Sequence, residues 1–274
     1  MFKTSMLDTG HLNCDNYKLM KQAGFDSVML GWRDVDRREK PDKARNVGLL
    51  IENIHAPFRN ADSIWLDNMD GDDYTESLLK SIDDCKDFDI PTMVVHINNE
   101  YQLPPMSNIG IERLKRITEK AENKNINIAF ENTYAPNHIQ FIFNSIFSKK
   151  LGFCFDSGHH NYMTPGRDLL DEFGERLMAM HLNDNFGADY INAQNPVYKK
   201  GTKEWGIQVD LHLLPFDGKI DWNKIIMQLK KIKYKGAIAF EVGVYKNCVP
   251  EMFFEMAFSR AKKLLDMMNK KETM

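Results

Sequence analysis

The sequence lacks the features that mark several classes of protein. Its 274 residues contain only four cysteines, at positions 14, 85, 154 and 248, and these form no CxxC pair. Such a spacing excludes a disulfide scaffold, and a reduced, cytoplasmic protein is the simplest interpretation. No apolar run approaches the ~18 residues of a membrane helix, and the N-terminus becomes polar too early for a signal peptide. We therefore expect a protein without membrane contact.

An excess of charge of one sign is also missing. Lys and Arg total 36 against 39 Asp and Glu, which gives a formal net charge of −3. No broad basic field is expected, so the charge gives no support for nucleic-acid binding. The 43% hydrophobic and 27% charged residues are ordinary for a soluble globular protein and exclude collagen-like and disordered chains.

Short apolar segments alternate with helical patterns along the whole chain. Several of them, such as TMVVHI, INIAFEN and GAIAFEV, are nearly continuous apolar runs, which is typical of parallel strands buried on both faces. The predicted strands are Lys3–Leu7, Asp26–Leu30, Gly48–His55, Thr92–His96, Ile126–Glu131, Leu151–Asp156, Leu177–His181 and Gly236–Glu241. The predicted helices are Asp15–Ala23, Tyr74–Phe88, Ile111–Asn123, Asp221–Ile232 and Glu251–Met268.

Eight β–α alternations in roughly 250 residues predict a (β/α)8 TIM barrel, and residues 1–274 are predicted to form a single domain of this kind. A doubly wound open sheet is the alternative, although the sequence has no glycine-rich GxGxxG turn. Residues 183–220, between the seventh and eighth strands, are predicted to be a long loop. Loops of that length are usually functional or mobile.

Side chains capable of catalysis follow the ends of the predicted strands. The strand-end residues are His55, His96, Glu131, Asp156, His181 and Glu241. All strands of a barrel end at one face, where active sites occur, so these side chains are expected to share a pocket. His159 lies three residues after Asp156. Asp210 and His212 are two residues apart, a spacing that puts both side chains on one side of an extended chain.

This concentration of histidines and carboxylates predicts a divalent metal site. Carboxylates buried together repel one another, and some would take up protons in the absence of a cation. With no thiol expected near the strand ends, the ligand types suit zinc or manganese best, with cobalt, iron or magnesium as alternatives. Calcium prefers oxygen ligands alone. A lone histidine would more often be a core residue and a lone glutamate a helix cap, but six strand ends together are harder to explain so. No organic cofactor is expected.

The motifs IHAPF, FENT, FDSGHH, HLNDN, DLHLLPFDGKIDW and AFEV occur in an order and spacing that resemble the xylose isomerase-like TIM-barrel superfamily. That superfamily includes sugar and sugar-phosphate isomerases and epimerases, some dehydratases, and endonuclease IV. The resemblance covers nearly the whole chain. It implies that one metal is held by Glu131, Asp156, His181 and Glu241, that the two glutamates exchange a substrate proton, and that His159 contacts the substrate.

The endonuclease IV branch of the resemblance implies a larger metal capacity. Its three zinc sites correspond to His55, His96 and Glu131; to Glu131, Asp156, His181 and Glu241; and to His159, Asp210 and His212. All nine positions carry the matching residue type. However, the chain reads VHINNE and FENTYAP where Pro-Gly and Ala-Gly stretches are expected in that enzyme, and it is mildly acidic. Nucleic acid is therefore a less favoured partner than a small molecule.

The leading hypothesis is a metal-dependent sugar or sugar-phosphate isomerase or epimerase that works by proton transfer through an enediolate-like intermediate. The alternatives are an endonuclease IV-like zinc phosphodiesterase (an AP endonuclease) and a metal-dependent dehydratase, with a non-catalytic sugar-binding protein ranked last. Two further residues are candidates for substrate binding: Lys219 for a phosphate or carboxylate, and Trp32 as an apolar wall. A surface lysine and a packing tryptophan are the alternatives for them. A small sugar or polyol is the expected partner, and a homo-oligomer is left open.

Overall fold

The computed structural model describes residues 3–8, 16–32, 37–99, 101–191 and 196–270. The strands are β1 (Thr4–Leu7), β2 (Ser27–Gly31), β3 (Leu50–His55), β4 (Thr92–Val95), β5 (Asn127–Glu131), β6 (Leu151–Asp156), β7 (Leu177–His181) and β8 (Ile238–Phe240). They form one eight-stranded parallel sheet in the order β7-β6-β5-β4-β3-β2-β1-β8. Each strand therefore pairs with its neighbours in the chain, and β1 pairs with β8.

The sheet closes on itself through the residue that follows β7. Leu182 makes a parallel bridge to Phe240, and its N–H donates to the carbonyl oxygen of Ala239 at 2.8 Å. The N–H of Glu241 in turn donates to the carbonyl oxygen of Leu182 at 3.2 Å. The prediction of a (β/α)8 TIM barrel is confirmed, and closure brings the C-terminal ends of all eight strands to one face.

Helices surround the barrel. They are α1 (Asn16–Ala23), α2 (Lys40–Asn46), α3 (Met69–Asp87), α4 (Asn108–Lys124), α5 (Pro136–Ser145), α6 (Ser157–Met163), α7 (Leu169–Phe173), α8 (Lys203–Val209), α9 (Trp222–Lys231) and α10 (Pro250–Asn269). The five predicted helices are all present, whereas α2 and α5–α8 were not predicted; α2, α6, α7 and α8 have only five to seven residues, too few turns to show apolar periodicity. Among the described helices, none combines the length and the apolarity needed to cross a bilayer.

Two of the long helices begin earlier than predicted because side chains cap their N-termini. The carboxamide oxygen of Asn68 accepts the N–H of Gly71 at 2.9 Å at the start of α3, and the hydroxyl of Ser107 accepts the N–H of Gly110 at 3.2 Å at the start of α4. Such caps satisfy backbone donors that the helix itself leaves free. They begin a helix at a polar residue, ahead of the apolar pattern from which it was predicted.

Large side chains fill the layer between strands and helices, and small ones fill the inside of the barrel. The outer layer contains buried aromatics such as Phe130, Phe153 and Phe240. The inward-facing positions hold two small clusters, Val94, Ala129, Cys154 and Ala179 in one and Met29, Ala237 and Ala239 in the other. This small-residue floor leaves space above it for the polar side chains at the strand ends.

The segment predicted as a long loop, residues 183–220, is more ordered than expected; its residues 192–195 lie outside the described part. It contains α8, and Asp184 forms an antiparallel bridge with Leu213. The fully buried carboxylate of Asp184 also accepts four N–H groups at 2.9–3.1 Å, from the backbone of Asn185, Phe216 and Ile220 and from the indole of Trp222. One acidic side chain therefore ties the second half of the segment to the barrel end.

We expect Asp184→Ala to lower the free energy of unfolding by about 3 kcal/mol, because it leaves several buried donors without an acceptor. Urea denaturation followed by circular dichroism measures this change. Asp189→Ala is the matched control, since that carboxylate lies on the same segment but is 92% exposed, and it should leave the midpoint unchanged. Equal midpoints for the two variants would contradict the anchoring role of Asp184.

Candidate metal centre

All nine candidate ligands come together at the C-terminal end of the barrel. The side chains form groups of three or four whose ligand atoms lie within 4.8 Å of one another. The groups include His55, His96 and Glu131; Glu131, Asp156, His181 and Glu241; and His159, Asp210 and His212. Strands β3 to β8 supply six of these residues at or just after their ends, α6 supplies His159, and the long segment supplies the other two.

The Glu131 carboxylate, which has no exposed surface, lies at the middle of the centre. Its Oε2 atom is 3.2 Å from Nε2 of His55, 3.1 Å from Nε2 of His96 and 3.1 Å from Nδ1 of His181. Its Oε1 atom is 3.1 Å from Nδ1 of His159. Burial acts to raise the pKa of this carboxyl, but the surrounding histidines, led by His181, hold it well below its usual value.

Four of the histidines are held in one tautomer by oxygen acceptors. Nδ1 of His55 lies 2.9 Å from the carbonyl oxygen of Ala56, and Nδ1 of His96 lies 2.8 Å from Oδ1 of Asn99. Nδ1 of His159 lies 3.1 Å from the carbonyl oxygen of Asn132, and Nδ1 of His212 lies 2.9 Å from the carbonyl oxygen of Glu241. These oxygens only accept, so each Nδ1 carries a proton and each Nε2 faces the centre, where it pairs with a carboxylate when protonated and can bind a cation when deprotonated. This is how proteins orient histidines that bind metal ions.

His181 lies between two carboxylates without hydrogen-bonding to either. Its Nδ1 is 2.6 Å from Oε2 of Glu241 and 3.1 Å from Oε2 of Glu131. Within the described residues, both ring nitrogens of His181, Oε1 of Glu131 and Oε2 of Glu241 are buried and have no hydrogen-bond partner of acceptable geometry. Buried polar atoms left in this state are costly. Lone pairs that converge without bonding to one another fit a divalent cation shared among them.

Asparagines from the same motifs hold Asp156 in place. Asn183 donates to Oδ2 of Asp156 at 2.8 Å, Oδ1 of Asn132 accepts the backbone N–H of Asp156 at 2.8 Å, and the N–H of His159 donates to Oδ1 of Asp156 at 2.6 Å. Burial raises the pKa of the Asp156 carboxyl to about 6. The sequence analysis did not identify either asparagine, although both lie in the quoted FENT and HLNDN motifs.

The third ligand group is built on unusual backbone. His212 has a φ of 45°, in the left-handed region that side chains other than Gly rarely adopt. Its Nε2 is 3.2 Å from Oδ2 of Asp210, and Nε2 of His159 is 3.7 Å from the same oxygen. Burial opposes protonation of His212, but Asp210 outweighs it and raises the pKa to about 10.

The expectation that no thiol lies near the strand ends is wrong. A ligand group contains Glu131, Cys154 and His181, with the three ligand atoms within 4.8 Å of one another. The physical reason is the two-residue period of a strand, which turns Cys154 to the same side as Asp156. That period was the available signal in the sequence.

The two further candidates for substrate binding lie in different surroundings. Trp32 has no exposed surface, its indole N–H donates to Asp84 on α3 at 2.9 Å, and its ring meets Phe88 edge to face. The suggestion that Trp32 walls the substrate site is corrected accordingly: this side chain belongs to the packing between barrel and helices. Lys219 is exposed, and its backbone N–H donates to the carbonyl oxygen of Asn185 at 2.9 Å, so its contact with substrate stays a prediction.

The fold and the ligand cluster define a (β/α)8 barrel with a candidate metal centre at the C-terminal ends of its strands. A family model described as xylose isomerase-like TIM barrel matches residues 17–270. The chain belongs to this family.

The chain is also similar to individual proteins, and the solved structures among them share its fold. An uncharacterised protein of Sinorhizobium fredii, y4fM, is 28% identical over 207 residues, which cover 70% of this chain and 60% of that relative. The chain thus spans well under two thirds of that relative's length. Among solved structures, a D-tagatose 3-epimerase-like protein has a TM-score of 0.72 at 19% identity, covering 97% of this chain and 98% of that one. The IolI protein with a bound zinc atom has a TM-score of 0.69 at 16% identity, covering 99% and 100%.

We expect Zn²⁺ binding to strengthen as the pH rises from 6 to 9. Without metal, the pKa of His212, raised to about 10, keeps this ring protonated over this range, and the raised pKa of His159 acts in the same direction, so a cation must displace protons to bind. Each displaced proton changes the affinity about tenfold per pH unit. Isothermal titration calorimetry in buffers of different ionisation enthalpy counts the protons released.

Two variants check the source of these protons. His212→Gln should reduce the release by about one proton per chain at saturating Zn²⁺. His160→Gln is the control, because burial lowers the pKa of His160 to about 4 and its ring hydrogen-bonds to the carbonyl oxygen of Arg167. Zn²⁺ binding that does not depend on pH would contradict the expected displacement.

Proposed function

We propose that the protein is a divalent-metal-dependent isomerase or epimerase of a small sugar or sugar phosphate. The observation that carries the proposal is the placement of Glu131 and Glu241 at the same ring nitrogen of His181, whose Nδ1 is 3.1 Å and 2.6 Å from the two carboxylates. Strands β5 and β8 are three strands apart in the ring, so the carboxylates reach the centre from different walls. The likeness to an epimerase-like protein supports the same reaction class.

Two carboxylates at one centre suit a reaction that moves a carbon-bound proton. One glutamate removes the proton from the substrate, and the other returns a proton to the same or the adjacent carbon. The side chain of Glu241 is 15% exposed against 1% for Glu131, so Glu241 is the more accessible of the two to a molecule entering the centre. Burial acts to raise the pKa of Glu241, but His181 lowers it to about 2, which keeps this carboxylate ionised and able to accept a proton.

The cation that these residues fit would be held by Glu131, Asp156, His181 and Glu241, and when bound it supplies Lewis-acid stabilisation of the negative charge that develops on substrate oxygens. His159 lies beside this group, and its backbone N–H donates to Oδ1 of Asp156. We expect its ring to contact a substrate hydroxyl. The small-residue floor below the centre and the long segment beside it shield the reacting carbon from bulk water.

Incubation of a panel of ketoses and ketose phosphates in D₂O tests the proposal. Proton abstraction from carbon exchanges that hydrogen with solvent, so ¹H NMR should show loss of one C–H signal before or with product formation. Glu241→Gln should slow this exchange by about 10²–10⁴-fold, because the amide cannot act as a base. Exchange at the normal rate in the metal-loaded variant would refute the role of Glu241 as the base, whereas no exchange by the unchanged, metal-loaded protein across the panel would refute the reaction class.

Glu119→Gln provides the matched control, since it makes the same change on an exposed helix position. Metal content by elemental mass spectrometry is measured for both variants, which separates loss of the base from loss of the cation. A dehydratase on the same frame would also exchange the hydrogen, but its product is lighter by one water, and mass spectrometry of the product identifies it.

A zinc phosphodiesterase of the endonuclease IV type is a second candidate, favoured by one observation. Beyond Glu131, Asp156, His181 and Glu241, there are two further ligand groups. One contains His55 and His96 together with Glu131, and the other contains His159, Asp210 and His212. Several cations held side by side can clamp a phosphate and activate water.

For this second candidate we expect more than one Zn²⁺ per chain by elemental analysis, together with cleavage of a duplex that contains an abasic site. Asp210→Asn should then lose the additional zinc and the cleavage together, because it removes the carboxylate shared by His159 and His212. Fully zinc-loaded protein that leaves the duplex intact would reject the phosphodiesterase.

A further inference from the structure

Cys154 lies deeper in the barrel than the rest of the metal centre. It faces the barrel interior from β6, two residues before Asp156, and packs with Val94, Ala129 and Ala179 in a cluster with almost no exposed surface. The backbone of β6 pairs Cys154 with Ala179 and Asp156 with His181 on β7. The thiol is therefore one layer below the carboxylate and the imidazole at the strand ends.

The groups next to this thiol have unmet bonding capacity. Both ring nitrogens of His181 and Oε1 of Glu131 are buried and lack a hydrogen-bond partner in the described part of the chain. Neither side chain has more than about 1% exposed surface. One carboxylate oxygen of Glu131, one ring nitrogen of His181 and Sγ of Cys154 all lie within 4.8 Å of one another. Three donors of different type thus face one buried point.

We propose that Glu131, Cys154 and His181 form a second, deeper cation position that takes thiophilic ions such as Cd²⁺. This inference deepens the proposed metal dependence of the same centre and rests on it. A thiolate prefers soft cations, whereas the carboxylates of Asp156 and Glu241 above it suit harder ones such as Mn²⁺. Since both positions share Glu131 and His181, a single cation occupies one or the other, and the type of cation decides which.

Binding at the deeper position replaces the thiol proton by the cation. The S–H bond breaks, the sulfur keeps the electron pair and bonds to the cation, and the proton leaves to the buffer. Thiophilic ions therefore bind with release of a proton that Mn²⁺ does not displace from this residue.

Titration of the metal-free protein with Cd²⁺ tests the proposal without any measurement of catalysis. A thiolate bound to Cd²⁺ produces an ultraviolet charge-transfer absorbance, and we expect one such band to grow to saturation. Cys154→Ala should abolish the band and weaken Cd²⁺ binding by at least about tenfold, while Mn²⁺ affinity, measured by competition, stays within about twofold. Cys154→Ser, which keeps the side-chain size, should give the same loss of the band if the alanine variant folds poorly.

The two other cysteines in the described part of the chain provide the controls. Cys85→Ala and Cys248→Ala should each keep the band, since Cys85 is buried on α3 and neither cysteine belongs to a ligand group found among the described residues. A band that survives in both Cys154 variants, or that disappears in one of the controls, overturns the proposal. Deuterium exchange with Mn²⁺ present is scored separately, so loss of the sugar activity and loss of the Cd²⁺ band are independent outcomes.

Discussion

The buried charge of Glu131 is the constraint around which the C-terminal end of the barrel is organised. A carboxylate with no exposed surface is unstable unless cations or donors surround it. Here the compensation comes from imidazoles on four other elements, all within 3.2 Å of its two oxygens. Three of those imidazoles, His55, His96 and His159, are themselves oriented by backbone and amide oxygens. A change at Glu131 would thus leave several buried groups without their partner at once.

Closure of the barrel allows these side chains to converge on one centre. Each strand end reaches the centre from a different direction, while alanines, a valine and the Cys154 thiol occupy the interior below. Larger interior residues would push the polar layer outward, toward water, where the charges would be screened and interact more weakly. The buried position of the ligand layer therefore depends on the small size of the inward-facing residues below it.

The sequence predicted the strands and the strand-end residues well because both follow from local patterns. An apolar run of five residues marks β6, and the Asp that follows this run marks the open face. It predicted much less about contacts between distant segments. The Asp184 anchor joins residues up to 38 positions apart, and neither periodicity nor composition signals such a pairing. The assignment of Trp32 to the substrate site failed for the same reason, because its indole N–H bonds to Asp84, which is 52 residues away in the chain.

The centre consists of two parts that are held in different ways. Six ligands are fixed by strands of the closed sheet and His159 by α6, which directly follows β6, whereas Asp210 and His212 depend on the long segment. That segment is anchored by Asp184 at one side and, at the other, by Trp205 of α8, which packs edge-on against Tyr101 and Tyr162. Because Asp210 directly follows α8, the packing of this tryptophan sets where its carboxylate lies. The strand ends thus define what the centre binds, and the segment determines how far its ligand set extends beyond one cation.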